Sequence, residues 1–192
     1  MKVGVYVGSF NPPHLGHEQI INNLLKNKVV DKIIVIPTLS YWNKHINVSL
    51  KKRIDMLSTI KNDNVIINDT LNHYKNTYEL MDKLSETYDD LYLIIGADNI
   101  IDFDKWNKVD RILKHHVIVI SRNDINIDEY LSKFDKSRFI IVDNVNFDIS
   151  STFVREKIKN REYHLLKGIL NDKVIEYIKN NNLYRWFYEK CS

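Results

Sequence analysis

Short apolar runs of strand length recur along the chain at Val3 to Val7, Lys32 to Ile36, Val65 to Ile67, Leu91 to Ile95, Val117 to Ile120 and Phe139 to Val142. Between them, Glu18 to Leu25, Leu50 to Ile60 and Tyr78 to Leu84 place apolar residues at three- and four-residue intervals, so each stretch can bury one helical stripe. The Ile and Val runs are apolar on both faces, as a parallel sheet covered by helices on each side requires. The alternation predicts an α/β fold, a doubly wound parallel sheet with helices on both faces. Capping residues mark helix starts: Ser49 before the second helix, Asn76 with Glu79 three residues later before the third, and Asp98 at a fourth. Asp172 to Asn180 predicts one more helix, ended by Asn180 to Asn182 and followed by an aromatic tail of Leu183, Tyr184, Trp186, Phe187 and Tyr188.

Composition narrows the setting. The 192 residues suit one domain, 1–192, whose last part, from about residue 151 to 192, is a C-terminal helical segment. With 28 Lys plus Arg against 25 Asp plus Glu, the formal charge is +3, and the basic residues are spread without a dense block. That argues against a nucleic-acid partner and leaves room for a local anion site. Cys191 is the single cysteine, so an internal disulfide is excluded, which suits a reducing compartment. The apolar runs are far shorter than the ~20 residues of a membrane span, and nothing at the N-terminus reads as a signal peptide. The expectation is a cytoplasmic protein without a membrane partner. The aromatic tail could cover the core or form a subunit contact, which leaves a homo-oligomer open.

The chemistry concentrates after the first strand, in Gly8-Ser9-Phe10-Asn11-Pro12-Pro13-His14-Leu15-Gly16-His17. Two of the five glycines and two of the three prolines fall in these ten positions. The first strand-to-helix turn of an open parallel sheet is the usual place for phosphates. Gly8 admits close backbone approach, and the prolines stiffen the turn. His14 and His17, three apart at a helix N-terminus, can both face an anion drawn to the helix dipole. A rigid turn with incidental histidines is the plainer alternative, and a zinc site is weak without a nearby third ligand. A second constellation, Ile149-Ser150-Ser151-Thr152-Phe153-Val154-Arg155, follows the last strand. Capping explains one hydroxyl but not three followed by Arg155 one turn after Ser151, so phosphate binding is favoured.

Together these segments resemble the nucleotidylyltransferase superfamily, with its H-x-G-H motif in His14, Gly16 and His17 and its I-S-S-T-x-x-R motif in Ile149 to Arg155. Within it the chain is most similar to the bacterial nicotinate-nucleotide adenylyltransferase family. The likeness is carried by Lys44 followed by Arg53, Met56 and Leu57, by Asn76-Thr77-Tyr78, and by Gly96-Ala97-Asp98 before Lys105-Trp106. Ser121-Arg122 and the ending Tyr177-Ile178 to Leu183-Tyr184 add to it. The resemblance implies a Rossmann-like fold and in-line attack of nicotinate mononucleotide on the α-phosphorus of ATP, with Mg²⁺ as cofactor and no protein metal site. It further implies catalytic roles for His14, His17 and Arg155. ATP would meet Gly8, Ser9, Phe10, His14, His17, Gly96, Asp98, Ile149, Ser151, Thr152 and Arg155. Nicotinate mononucleotide would meet Ser9, Phe10, Lys44, Thr77, Trp106 and Arg122.

Each of these residues also has an ordinary structural alternative. Lys44 could be a solvated loop lysine, Asp98 only a cap, Trp106 part of the core, and Arg53 a surface helix residue. The first turn reads Gly-Ser-Phe-Asn-Pro-Pro where the bacterial nicotinate enzymes commonly have Gly-Thr-Phe-Asp-Pro-Ile, and the loop before Lys44 lacks their paired prolines. Nicotinamide mononucleotide or phosphopantetheine adenylyl transfer, and a non-catalytic nucleotide-binding regulator on the same fold, are the alternatives. A class I aminoacyl-tRNA synthetase fragment ranks last, since the chain has no room for a tRNA-binding domain.

Overall fold

The computed structural model describes residues 1–39, 48–60, 62–121, 125–143 and 149–185. Strands β1 (Lys2–Gly8), β2 (Lys32–Pro37), β3 (Val65–Ile67), β4 (Asp90–Gly96), β5 (His116–Ile120) and β6 (Phe139–Val142) form one parallel sheet in the order β3-β2-β1-β4-β5-β6. Every strand expected from the apolar runs is present, none extended by more than one residue at either end. The strand order reverses between β1 and β4, which opens a crevice at their carboxyl ends.

The helices are α1 (Leu15–Lys26), α2 (Leu50–Leu57), α3 (Thr77–Ser85), α4 (Val109–Ile112), α5 (Ile127–Leu131), α6 (Ser151–Lys159) and α7 (Asp172–Asn180). Strand residues alternate between two faces. On one face Val3, Val5, Ile34, Leu93 and Val119 meet Leu80, Met81 and Leu84 of α3 together with Phe103 and Ile112. On the other, Tyr6, Ile33, Val35, Ile94 and Ile118 meet Ile21 and Leu24 of α1 and Leu57 of α2. A third apolar cluster joins α2, α6 and α7 through Met56, Val154, Ile158, Val174, Ile178 and Leu183. Leu15 N–H donating to Ile169 O at 2.9 Å ties it to the start of α1, and within it Tyr177 Oη of α7 donates to Asp55 of α2 at 2.6 Å. Among the described residues no helix is long and apolar enough to cross a membrane.

Ser49 caps α2 and Asn76 with Glu79 caps α3, as their spacing predicts. Two expectations are corrected. The second helix stops at Leu57 rather than Ile60: the N–H groups of Thr59 and Ile60 bond Met56 O and Leu57 O, three residues back rather than four, and the Thr59 hydroxyl also donates to Met56 O. Asp98 starts no α-helix; it lies inside a 3-10 turn, Ala97–Asn99, entered from Gly96.

Arg53 is also not a surface residue. It shares the buried stripe of α2 with Met56 and Leu57 and is 2% exposed. Its guanidinium donates to Ser9 O, to Thr38 O at 2.8 Å and, through Nε, to Val48 O at 3.4 Å. A buried cation must have its donors satisfied, and here three main-chain carbonyls do so, at the ends of β1 and β2 and the start of α2. Burial lowers its pKa, opposed by the charge interaction with Tyr184. Replacing Arg53 by Met keeps much of the volume but strands these carbonyls, which costs about 3 kcal/mol when several buried acceptors lose their donor. Urea unfolding at neutral pH should show the loss as a lower midpoint; a midpoint equal to the parent's would contradict this role.

Candidate active site

β1 ends at Gly8 and α1 begins at Leu15, so residues 9–14 form the first strand-to-helix turn, beside the point where the strand order reverses. Phe10 is buried and takes a positive φ of 44°, uncommon for an aromatic residue. That conformation turns its ring back over Gly8, where a Cβ would stand 3.1 Å from the ring, so the glycine makes room for it. The ring then packs edge-on against Tyr6 at 5.3 Å and His17 at 4.9 Å between centroids.

The two histidines are built into the start of α1. His14 is the N-cap residue and His17 the third residue of the helix, and their rings stack with centroids 3.7 Å apart. His14 N–H donates to His17 Nδ1 at 3.1 Å. Because a main-chain N–H can only donate, Nδ1 of His17 is an acceptor and its ring proton belongs on Nε2. Gly16 has a steric reason of its own: a Cβ there would lie 3.0 Å from His14 Nδ1 and 4.0 Å from the Cβ of Ile149. The glycine of the motif lets the buried His14 ring lie against the first helical turn.

The carbonyl groups of the turn are held from outside it. Arg53 binds Ser9 O, Arg155 Nη1 donates to Asn11 O at 2.8 Å, and Ser151 Oγ donates to Pro12 O at 2.9 Å. The Asn11 side chain, 5% exposed, accepts at Oδ1 from Tyr184 Oη at 2.8 Å. Pro12 and Pro13 have no N–H, so the peptides that follow Asn11 and Pro12 contribute acceptors only, and the donors from α6 match them. Ser150 caps α6 by accepting from Phe153 N–H at 3.1 Å, and Thr152 Oγ1 accepts from Arg155 Nη2 at 3.0 Å. The structure thus brings Gly8, Ser9, Phe10, His14 and His17 together with Ile149, Ser151, Thr152 and Arg155 at the N-termini of α1 and α6. A guanidinium has five donors, so two such bonds leave capacity for an anion.

The remaining expected residues fall in a second group or beyond the described residues. Two residues past the Tyr6–Ile94 pair, Gly96 ends β4 next to the end of β1, and Asp98 follows it, exposed. Thr77 is the first residue of α3 and Trp106 closes a 3-10 turn, Phe103–Lys105, so both lie on connections that leave the carboxyl ends of strands. Asn107 donates to Asn76 Oδ1 at 3.4 Å, which ties those two connections together. The Trp106 ring is half-buried and packs on Phe103 at 5.2 Å. Lys44 and Arg122 lie outside the described residues.

Three residues of the turn's support carried no site expectation: Arg53, Asn11 and Tyr184. Arg53 left a signal, a lone cation on the apolar stripe with Met56 and Leu57. Tyr184 left none, since its partner is 173 positions away. Burial raises the pKa of the Tyr184 hydroxyl well above the ordinary tyrosine value, although Arg53 and Arg155 pull it down. Glu18, the acid in the first turn of α1, also has a raised pKa, chiefly from burial, with a hydrogen bond from Asn171 opposing it.

Comparison with known proteins places this arrangement. The cytidylyltransferase-like family pattern matches residues 5–157. A probable nicotinate-nucleotide adenylyltransferase of Fusobacterium nucleatum is 32% identical over 190 residues, covering 93% of this chain and 97% of its own. One from Acholeplasma laidlawii is 34% identical over 191 residues, covering 94% and 96%. Among solved structures, the Plasmodium falciparum nicotinic acid mononucleotide adenylyltransferase complexed with NaAD has the same fold. Its TM-score is 0.82 at 21% identity, over 95% of this chain and 97% of that one. The chain therefore belongs to the cytidylyltransferase-like family and, within it, to the nicotinate-nucleotide adenylyltransferases.

Proposed function

We infer that the protein transfers the adenylyl group of ATP to nicotinate mononucleotide, giving nicotinate adenine dinucleotide and pyrophosphate, a step of NAD biosynthesis. The observation that carries this reading is the meeting of His14 and His17 with Ser151, Thr152 and Arg155 on one turn at the carboxyl end of β1. Two helix N-termini and their side chains converge there, a suitable setting for a triphosphate. The names of the relatives support the substrate pair, as does the structural neighbour complexed with NaAD.

In the reaction an oxygen of the mononucleotide phosphate attacks the α-phosphorus of ATP, a new P–O bond forms, and the bond to the β-phosphate oxygen breaks in line with release of pyrophosphate. The attacking phosphate, with a second pKa near ~6, is already ionised at neutral pH, so no general base is needed. The residues act by positioning and by meeting charge. His17 donates from Nε2 toward the α-phosphate, in the tautomer fixed by His14 N–H, and His14 supports it by stacking. Ser151, Thr152 and Arg155 receive the β- and γ-phosphates, and Ile149 packs beside them. Gly8, Ser9 and Phe10 line the junction of the two nucleotides, and Gly96 with Asp98 meets adenosine. Thr77 and Trp106 receive the pyridine, with Lys44 and Arg122 as the further contacts implied by the family. Mg²⁺ would accompany ATP and supply further neutralisation of phosphate charge beside His17, Ser151, Thr152 and Arg155.

The protein incubated with ATP, Mg²⁺ and nicotinate mononucleotide should release pyrophosphate, and faster than with nicotinamide mononucleotide; release with neither would overturn the reading. Substituting His17 by Ala should lower kcat on the order of a hundredfold, the scale for loss of one preorganised donor. ATP affinity should change far less. Unchanged turnover would remove His17 from the transition state.

A further inference from the structure

We propose that Tyr184 is a positioning residue for adenylyl transfer: its hydroxyl holds the Asn11 side chain and through it the turn that carries His14 and His17. The proposal deepens the adenylyltransferase reading and rests on it for its kinetic readout.

The path of the chain after α7 is shaped to deliver this hydroxyl. Leu183 N–H closes the helix end on Ile178 O at 3.0 Å, and the Leu183 side chain is buried in the cluster between α2, α6 and α7. Asn182 and Tyr184 take positive φ values of 50° and 60°. For an aromatic residue that conformation persists only when the surroundings hold it. The Tyr184 ring packs against the same cluster, for which a phenylalanine would serve equally; only its hydroxyl reaches Asn11. A hydroxyl taken out of water is unfavourable unless bonded, and here its bond goes to the turn of the candidate site. A phenol is protonated at neutral pH and burial raises its pKa further, so it donates without cancelling the nearby charges of Arg53 and Arg155.

Asn11 is thereby gripped at two points, its main-chain oxygen by Arg155 and its side chain by Tyr184. From there the turn continues through Pro12 and Pro13, whose rings restrict φ. An orientation set at Asn11 is therefore transmitted to His14 with little slack, and His14 N–H fixes the ring of His17. Near-attack geometry is sensitive to displacements of this kind: misplacement by about 1 Å can cost two orders of magnitude in rate. The hydroxyl of Tyr184 acts at a distance from the phosphates, through Asn11, and touches no substrate.

The test compares the full-length protein with Tyr184→Phe, Asn11→Ala and the double variant. Tyr184→Phe keeps the ring and its packing, so its melting temperature should stay close to the parent's while kcat falls roughly tenfold, a displacement smaller than the 1 Å case. Adding Tyr184→Phe to Asn11→Ala should cause little further loss, because both remove the same link. The NMR signals of the His14 and His17 rings, assigned by replacing each histidine, should shift in both single variants. Tyr184→Phe with parental kcat and unshifted ring signals overturns the proposal, as does an equal fractional loss in both backgrounds. If the parent itself releases no pyrophosphate with either mononucleotide, the adenylyltransferase reading fails separately. The ring signals then decide: shifts in both single variants support the link, and their absence refutes it.

Discussion

The carbonyl oxygens of one short turn organise much of this molecule. Between Gly8 and Leu15 the chain carries two adjacent prolines and so lacks two of the N–H groups with which a loop can close on itself. Ser9, Asn11 and Pro12 instead turn their carbonyls outward to Arg53, Arg155 and Ser151. Those donors come from α2 and α6, whose packing with α7 forms the apolar cluster off the sheet. The helical segment therefore does more than cover the end of the fold. It anchors the turn, and the turn presents the histidines at the head of α1.

This arrangement assigns separate tasks to residues of similar chemistry. Arg53 is buried at the root of the turn. Arg155 lies at the entrance, half-buried, with one side of its guanidinium on Asn11 and Thr152. Ser150 caps a helix, Ser151 ties the turn, and Thr152 supports Arg155. Three consecutive hydroxyls thus serve the scaffold as well as the anion they are expected to meet. Asn11 faces Tyr184 in the interior, so its side chain bears on how the turn is held.

The fold was legible in the chain because parallel strands buried on both faces must be continuously apolar and their covering helices must be striped. The six Ile and Val runs and the stretches of α1 to α3 and α7 obey these constraints closely. Helix ends were less legible: the apolar spacing runs on to Ile60, yet Thr59 and Ile60 bond three residues back and the Thr59 hydroxyl joins on Met56 O, which a further helical turn would use. Asp98 has the chemistry of a cap but follows a strand so closely that a 3-10 turn forms first. The two segments expected to meet phosphate stand out in the sequence because each is contiguous, with its glycines, histidines and hydroxyls within a few positions. Their supports were harder to read, since Arg53 and Tyr184 reach the turn only after α2 and α7 have packed; Arg53 shows at most as a lone cation on an apolar stripe, and Tyr184 not at all.

The central claim is that a turn held through its carbonyls presents His17 to the α-phosphate of ATP. It is tested most directly by a crystal structure with Mg²⁺ and a non-hydrolysable ATP analogue. The account predicts the triphosphate between the N-termini of α1 and α6, His17 Nε2 within about 3 Å of an α-phosphate oxygen, and the bonds from Arg53 to Ser9 and from Ser151 to Pro12 intact. A triphosphate bound away from α1, or a turn that abandons those two bonds to receive it, would contradict it.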